Sequence, residues 1–184
     1  DSDGNTGDAM NVNFTWNVTT VNIFSLRINA AGSLVSATDG NSDWQANNVV
    51  GSHSGNGFSV SSGQIYAGGL LYANKHSSIP DYIDQITFEA IFAKERYDLV
   101  VEPEMIYSIP VPTGDYIVNI FMGNSFAGTG SPGLRIFDIE LEDIEVASNL
   151  DLSAIFGHEA GGMLSFTTMA DDGVLDITFL HQIE

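Results

Sequence analysis

The 184-residue chain contains no cysteine, few basic residues and no long apolar run. The missing cysteines exclude a disulfide scaffold, a thiol nucleophile and any Cys-ligated metal or cluster. They leave the compartment open, because a domain of this length buries enough apolar surface to fold without covalent staples. Only 5 Lys and Arg stand against 24 Asp and Glu, for a formal charge of −19. Nucleic-acid binding releases counterions through basic side chains, so that class is excluded. An anionic membrane surface repels such a chain for the same reason. No apolar stretch nears the ~20 residues of a membrane span, so membrane insertion is excluded as well. Residues 1–8 lack the basic and apolar regions of a signal peptide.

What the chain does have is turn-forming residues and short alternating runs. Its 19 Gly, with many Asn and Ser, favour strands and turns over helices. Strand candidates are Val12–Trp16, Val21–Ala30, Phe88–Phe92, Met105–Val111, Tyr116–Met122, Leu134–Leu141, Met163–Met169 and Val174–Leu180. Each alternates or runs apolar over a few residues between Gly, Pro, Asn or Asp. Residues 79–86 have room for at most a short helix. The expectation is an all-β fold: a two-sheet antiparallel β-sandwich, jelly-roll-like, with long loops at one end. Residues 1–20 read as an N-terminal linker with a candidate extra strand, and residues 21–184 as the domain. The Gly/Ser/Asn-rich segment 41–78 is too long for an idle connection and is expected to carry functional loops.

Several motifs invite chemistry and lose it on context. Gly128-Thr-Gly-Ser-Pro-Gly133 has the letters of a dinucleotide loop, but it leads into a strand, with no helix N-terminus for a pyrophosphate. Gly51-Ser-His-Ser-Gly55 places His53 where a hydrolase elbow needs serine. His53, His76, His158 and His181 are far apart in sequence and show no metal-ligand spacing. Asp138, Glu140 and Glu142 share one side of an alternating run, which reads as a solvated strand face. Asn13-Phe-Thr15 and Asn17-Val-Thr19 are glycosylation sequons. Asp1, Asp3, Asn5 and Asp8 are oxygen donors spaced around glycines, hence candidate ligands for a structural calcium ion. The alternative is a solvated interdomain tail. No cofactor is required by anything in the sequence.

Aromatic residues in Gly-rich loops are the remaining signal: Trp44, Tyr66, Tyr72, Tyr82 and Tyr97. A ring can cover the apolar C–H face of a sugar while neighbouring amides and carboxylates take its hydroxyls. The order of segments then resembles the malectin and malectin-like domains. Leu26-Arg-Ile-Asn-Ala-Ala-Gly32 is similar to that family's opening "RINAGG", Asp43-Trp44 to its "DW", and Ile65-Tyr-Ala-Gly-Gly69 to its Tyr/Gly loop. Ile91-Phe-Ala-Lys-Glu-Arg-Tyr97 resembles "LYQTERY", and Tyr107 to Val118 follows the spacing of "Y-x-I-P-V-x-x-G-x-Y-x-V". Gly133 to Ile139 and Asp172 to Phe179 match later strands, so the likeness runs in order over residues 21–184.

This resemblance implies a non-catalytic carbohydrate-binding module for a neutral, glucose-type oligo- or polysaccharide. It also implies a secreted or cell-surface setting beside neighbouring domains of a longer chain. The family's stacking tyrosines fall on Tyr66, Phe92 and Tyr97, its Tyr-Phe pair on Ser125-Phe126, and its late acid on Glu184. The expected carbohydrate-binding residues are therefore Tyr66, Phe92, Tyr97, Asn124, Phe126 and Glu184. The chain departs from the pattern at Ala31, at Phe121-Met-Gly123, which lacks an acid, and at Phe92 and Ser125, which lack phenol hydroxyls. The family's last strand is not matched. A protein-interaction or adhesion module on the same fold is the alternative, and a glycosidase or polysaccharide lyase the third reading.

Overall fold

A computed structural model describes residues 24–52, 57–66, 74–98 and 103–183. Candidate strand Val12–Trp16, the sequons, His53, Tyr72, the calcium candidates Asp1, Asp3, Asn5 and Asp8, and Glu184 lie outside the described residues.

The chain is dominated by strands. The first half holds short ones: β1 (Arg27–Ala30), β2 (Trp44–Asn47), β3 (Gly51–Ser52), β4 (Ser59–Val60), β5 (Gln64–Tyr66) and β6 (Asn74–Lys75). Helix α1 (Gln85–Ile91) then leads to β7 (Glu95–Tyr97). The second half holds the long ones: β8 (Met105–Pro110), β9 (Gly114–Gly123), β10 (Ile136–Leu141), β11 (Ile144–Leu150), β12 (Ala160–Ala170) and β13 (Val174–Ile183), with the short helix α2 (Leu152–Ile155) before β12.

A six-stranded sheet has the order β11-β10-β13-β8-β4-β3, and a three-stranded sheet the order β6-β12-β9. The larger sheet is antiparallel throughout, and β9 and β12 pair antiparallel along ten residues. Alternation explains the core. In β8, Met105, Tyr107 and Ile109 are buried while Ile106, Ser108 and Pro110 turn away. With Leu141 and Leu175 they meet Val118 and Ala170 of the smaller sheet in a shared apolar cluster. Two small pairs complete the fold, β1 with β2 in parallel and β5 with β7 in antiparallel.

Residues Phe88–Phe92, expected as a strand, belong instead to α1 and its C-cap. Asp84 is the N-cap, accepting the Thr87 N–H at 2.7 Å. Phe88, Ile91 and Phe92 at i, i+3 and i+4 form one helical face, and they pack with Trp44, Ile79 and Ile83. This face lies directly on β12, where a Cβ on Gly161 would come within 2.8 Å of the Phe92 ring.

Asp138 also departs from expectation. It is buried, and its carboxylate accepts from Asn149 N at 2.6 Å and Gln182 Nε2 at 2.7 Å. Register shifts between Phe137 and Ile139 and between Ile139 and Glu140 in the β10–β11 pairing break the simple alternation that had placed Asp138 on a solvated face.

Candidate functional site

The β5–β7 ribbon is the element that gathers chemistry. Its register sets Gln64 opposite Tyr97 and Tyr66 opposite Glu95. Opposed residues share a face, as do residues two apart along a strand. Gln64, Tyr66, Glu95 and Tyr97 therefore stand together on one face, with Ile65 and Arg96 on the other.

Arg96 anchors the reverse face. Its Nε donates to Asn47 Oδ1 at 3.1 Å, and its Nη2 donates to Asn47 O at 2.6 Å and Val49 O at 3.2 Å. Asn47 is fully buried, and its Oδ1 also accepts from Tyr107 Oη at 2.7 Å. Burial pushes the Tyr107 phenol up to about 12, so it remains a donor. Strands β2, β7 and β8 thus converge on a single amide.

A second loop closes on the ribbon. Asn124 Nδ2 donates to Thr129 O at 2.7 Å and Ser153 Oγ at 3.1 Å, and Thr129 Oγ1 donates back to Asn124 Oδ1 at 3.1 Å. On the loop so fixed, Ser125 Oγ donates to Glu95 Oε2 at 3.1 Å. Phe126 meets Tyr66 edge-on at 5.9 Å between ring centroids and is 45% exposed. At the far end of the ribbon, the Arg135 guanidinium lies 5.9 Å from the Tyr97 ring centroid.

Phe92, Glu95, Tyr97 and Arg135 also line a cleft of about 670 Å³ that continues past Trp44, Tyr107 and Phe121. Arg27, Lys94, Arg96 and Arg135 line it too, which is four of the five basic residues in the chain. Most of the chain's cations are thus gathered at the cleft. Trp44 Nε1 and Arg96 Nη1 are buried with no hydrogen-bond acceptor among the described residues. Arg27 is itself committed: it forks onto Asp39, with Nη1 to Oδ1 at 3.0 Å, and lies 5.2 Å from the Trp44 ring and 5.9 Å from the Tyr82 ring. The hydrogen bonds from Arg27 hold the Asp39 carboxyl well below the usual carboxylate range.

Of the expected carbohydrate-binding residues, Tyr66, Tyr97 and Phe126 are brought together at the ribbon and its flanking loop. Phe92 and Asn124 are not presented there. Phe92 is 5% exposed beneath β12, and Asn124 is 2% exposed inside its loop. Phe92 packs instead against Gly161 of β12, and Asn124 fixes the loop that carries Phe126. Gln64, Glu95 and Arg135 were missed. The alternation in Gln64-Ile65-Tyr66 and Glu95-Arg96-Tyr97 was the available signal, and it needed the cross-strand register to become a site.

These features define an all-β domain with an aromatic, amide and carboxylate face on a short ribbon beside a cleft. A match to the Malectin domain family extends over residues 24–183, and the chain belongs to that family. No curated protein sequence matches it. Among solved structures, the fold is shared with a plant receptor-like kinase, FER, at TM-score 0.61 and 15% identity, over 84% of this chain and 43% of that one. It is shared with the ANXUR1 extracellular domain of Arabidopsis thaliana at 0.64 and 10%, over 84% and 42%. A Bacteroides uniformis beta-glucuronidase aligns at 0.62 and 14%, over 86% of this chain and 16% of that one. The chain thus spans less than half of each. None of the helices among the described residues is long and apolar enough to cross a membrane.

Proposed function

We propose that this domain is a non-catalytic carbohydrate-binding module, built on a jelly-roll-like two-sheet frame, that takes a neutral, glucose-type oligo- or polysaccharide. The carrying observation is the single ribbon face holding Gln64, Tyr66, Glu95 and Tyr97, with Phe126 set against Tyr66. Tyr66, Tyr97 and Phe126 supply apolar ring surface for the C–H flank of a pyranose. Gln64 and Glu95 take its hydroxyls, and Ser125 holds Glu95 in place. Glu95 is the only carboxylate on that ribbon face, whereas glycoside hydrolysis ordinarily uses two carboxyl groups across the scissile bond. Membership of a family of binding modules supports the same reading. The domain works as part of a longer secreted or cell-surface protein, in keeping with the short share it covers of the structures it resembles.

A few ring contacts and hydrogen bonds give a shallow site, with a dissociation constant of about 10 μM to 1 mM, made useful by avidity or by a linked domain. A broad glycan screen on the domain, followed by titration calorimetry, tests the proposal. Tyr66→Ala and Phe126→Ala should each weaken the best ligand about tenfold, the size of one lost ring contact. Unchanged affinity in both variants refutes the site.

A protein-interaction module is the second reading. The solved complex of the plant peptide RALF23 with FER and LLG2, at TM-score 0.66 and 13% identity, favours it by fold. A blank glycan screen, together with capture of a peptide partner that Phe126→Ala abolishes, selects that reading.

A further inference from the structure

We propose that Asp98, Glu104 and His181 form a binding site for a divalent transition-metal cation of the zinc class. The site is separate from the ribbon face and does not depend on the carbohydrate reading. Asp98 directly follows β7, Glu104 directly precedes β8, and His181 lies on β13, so three separate strands deliver the donors. One ligand atom from each residue lies within 4.8 Å of the other two. His181 Nδ1 and Glu104 Oε2 are 3.0 Å apart. The register explains the meeting: Phe179 pairs with Met105, which carries β13 past the start of β8 and brings His181 beside Glu104.

Neighbouring groups fix the Asp98 carboxylate and the Glu104 backbone. Asp98 Oδ2 accepts from Met105 N at 2.7 Å, and Ser62 Oγ lies 3.3 Å from Asp98 Oδ1. Ser61 Oγ donates to the Glu104 carbonyl at 2.9 Å. Such outer contacts aim a carboxylate while leaving it lone pairs for a cation. The His181 and Glu104 side chains are 19% and 18% exposed, enclosed but reachable.

The donor set chooses the metal. One imidazole nitrogen with two carboxylate oxygens suits zinc, whereas magnesium and calcium take oxygen donors. Three protein ligands leave a tetrahedral position for water. Asp98 and His181 also line the cleft, so that position has access to solvent.

The test is zinc titration of the chelator-treated protein in excess magnesium, which occupies the general acidic surface. One equivalent should bind. His181→Ala and Glu104→Gln should each weaken zinc at least about tenfold, with unchanged circular dichroism in chelator. The imidazole ¹⁵N resonances of His181 in the unaltered protein should shift until one equivalent is added, a reading independent of any variant's folding. No binding, zinc displaced by magnesium, or undisturbed His181 resonances would overturn the proposal.

Discussion

Replacing Asn47 by alanine deprives two donors of their acceptor at once. Asn47 Oδ1 accepts from Tyr107 Oη, which is buried, and from Arg96 Nε, on a half-buried side chain. A buried donor left without its acceptor costs about 1–3 kcal/mol, and more when charged. Asn47→Ala should therefore cost roughly 2–5 kcal/mol, a large part of the 5–15 kcal/mol that holds an ordinary domain. Tyr107→Phe alone is milder, about 1 kcal/mol, because Asn47 keeps Arg96 as a partner. The informative step is the double variant. In the Asn47→Ala background the Tyr107 hydroxyl is a liability, so removing it should be neutral or stabilising. The sign of the Tyr107→Phe effect thus reverses between backgrounds. Urea unfolding followed by tryptophan fluorescence, with all four proteins compared at constant slope, measures this directly. Additive losses in the double variant would refute the account of Asn47 as a shared acceptor.

Stability against pH should show two limbs of opposite sign. Arg27 keeps Asp39 ionised in the folded protein at pH values where an unfolded aspartate, near pKa 3.9, takes a proton. Its stabilisation is complete above that unfolded value and is lost as the pH falls through the folded one; Asp39→Asn should flatten that acid limb in thermal melts. Glu142 runs the other way, because burial first, and then Asp176, Asp172 and Asp171, raise its pKa. Its charge is a cost that sets in as the pH rises above the unfolded value, so Glu142→Gln should raise the melting midpoint at neutral pH and leave it unchanged in acid; the reverse pattern would contradict the assignment. On β12, a Cβ at Gly162 falls inside the contact distance of the Phe156 ring. Gly162→Ala should cost about 1–3 kcal/mol by overpacking, and an unaltered urea midpoint would show that Phe156 has room to move.

Where the sequence was readable, a simple period made it so. Strands β8, β9, β12 and β13 alternate between Gly and Pro punctuation, and their centres were visible before their pairing. Hairpin β10–β11 was hidden for a local reason. Its two-residue turn, Glu142-Asp143, has φ of 53° and 60°. Such turns are ordinarily announced by Asn or Gly, and here two acids adopt the left-handed conformation without that signature. Helix α1 was misread because a five-residue apolar window satisfies both the strand and the helix period, and only the Asp84 cap separates them. Phe92 was expected at the site from the family resemblance; on the helix it is pressed against Gly161. At the site, Tyr66 and Tyr97 were legible as rings. Gln64 and Glu95 required a pairing across a sequence gap that no local pattern encodes.

The ribbon separates two tasks by face, and the separation can be tested. The inner face, through Arg96, holds β7 to Asn47 and thus to the core; the outer face presents Tyr66, Glu95 and Tyr97. A change at Tyr66 removes its edge-on contact with Phe126 and the ring surface offered to a ligand, but no core anchor. Tyr66→Ala should therefore lower affinity while leaving urea stability within about 1 kcal/mol of the parent, since Tyr66 is only partly buried. A change at Asn47 should lower both quantities, because Arg96 then keeps only its bonds to the Asn47 and Val49 carbonyls and the anchor is weakened before the ribbon meets a ligand. If Asn47→Ala proved unstable yet bound saccharide at full strength, the ribbon's geometry would not depend on the Asn47 amide, and the proposed link between core and site through that side chain would fail.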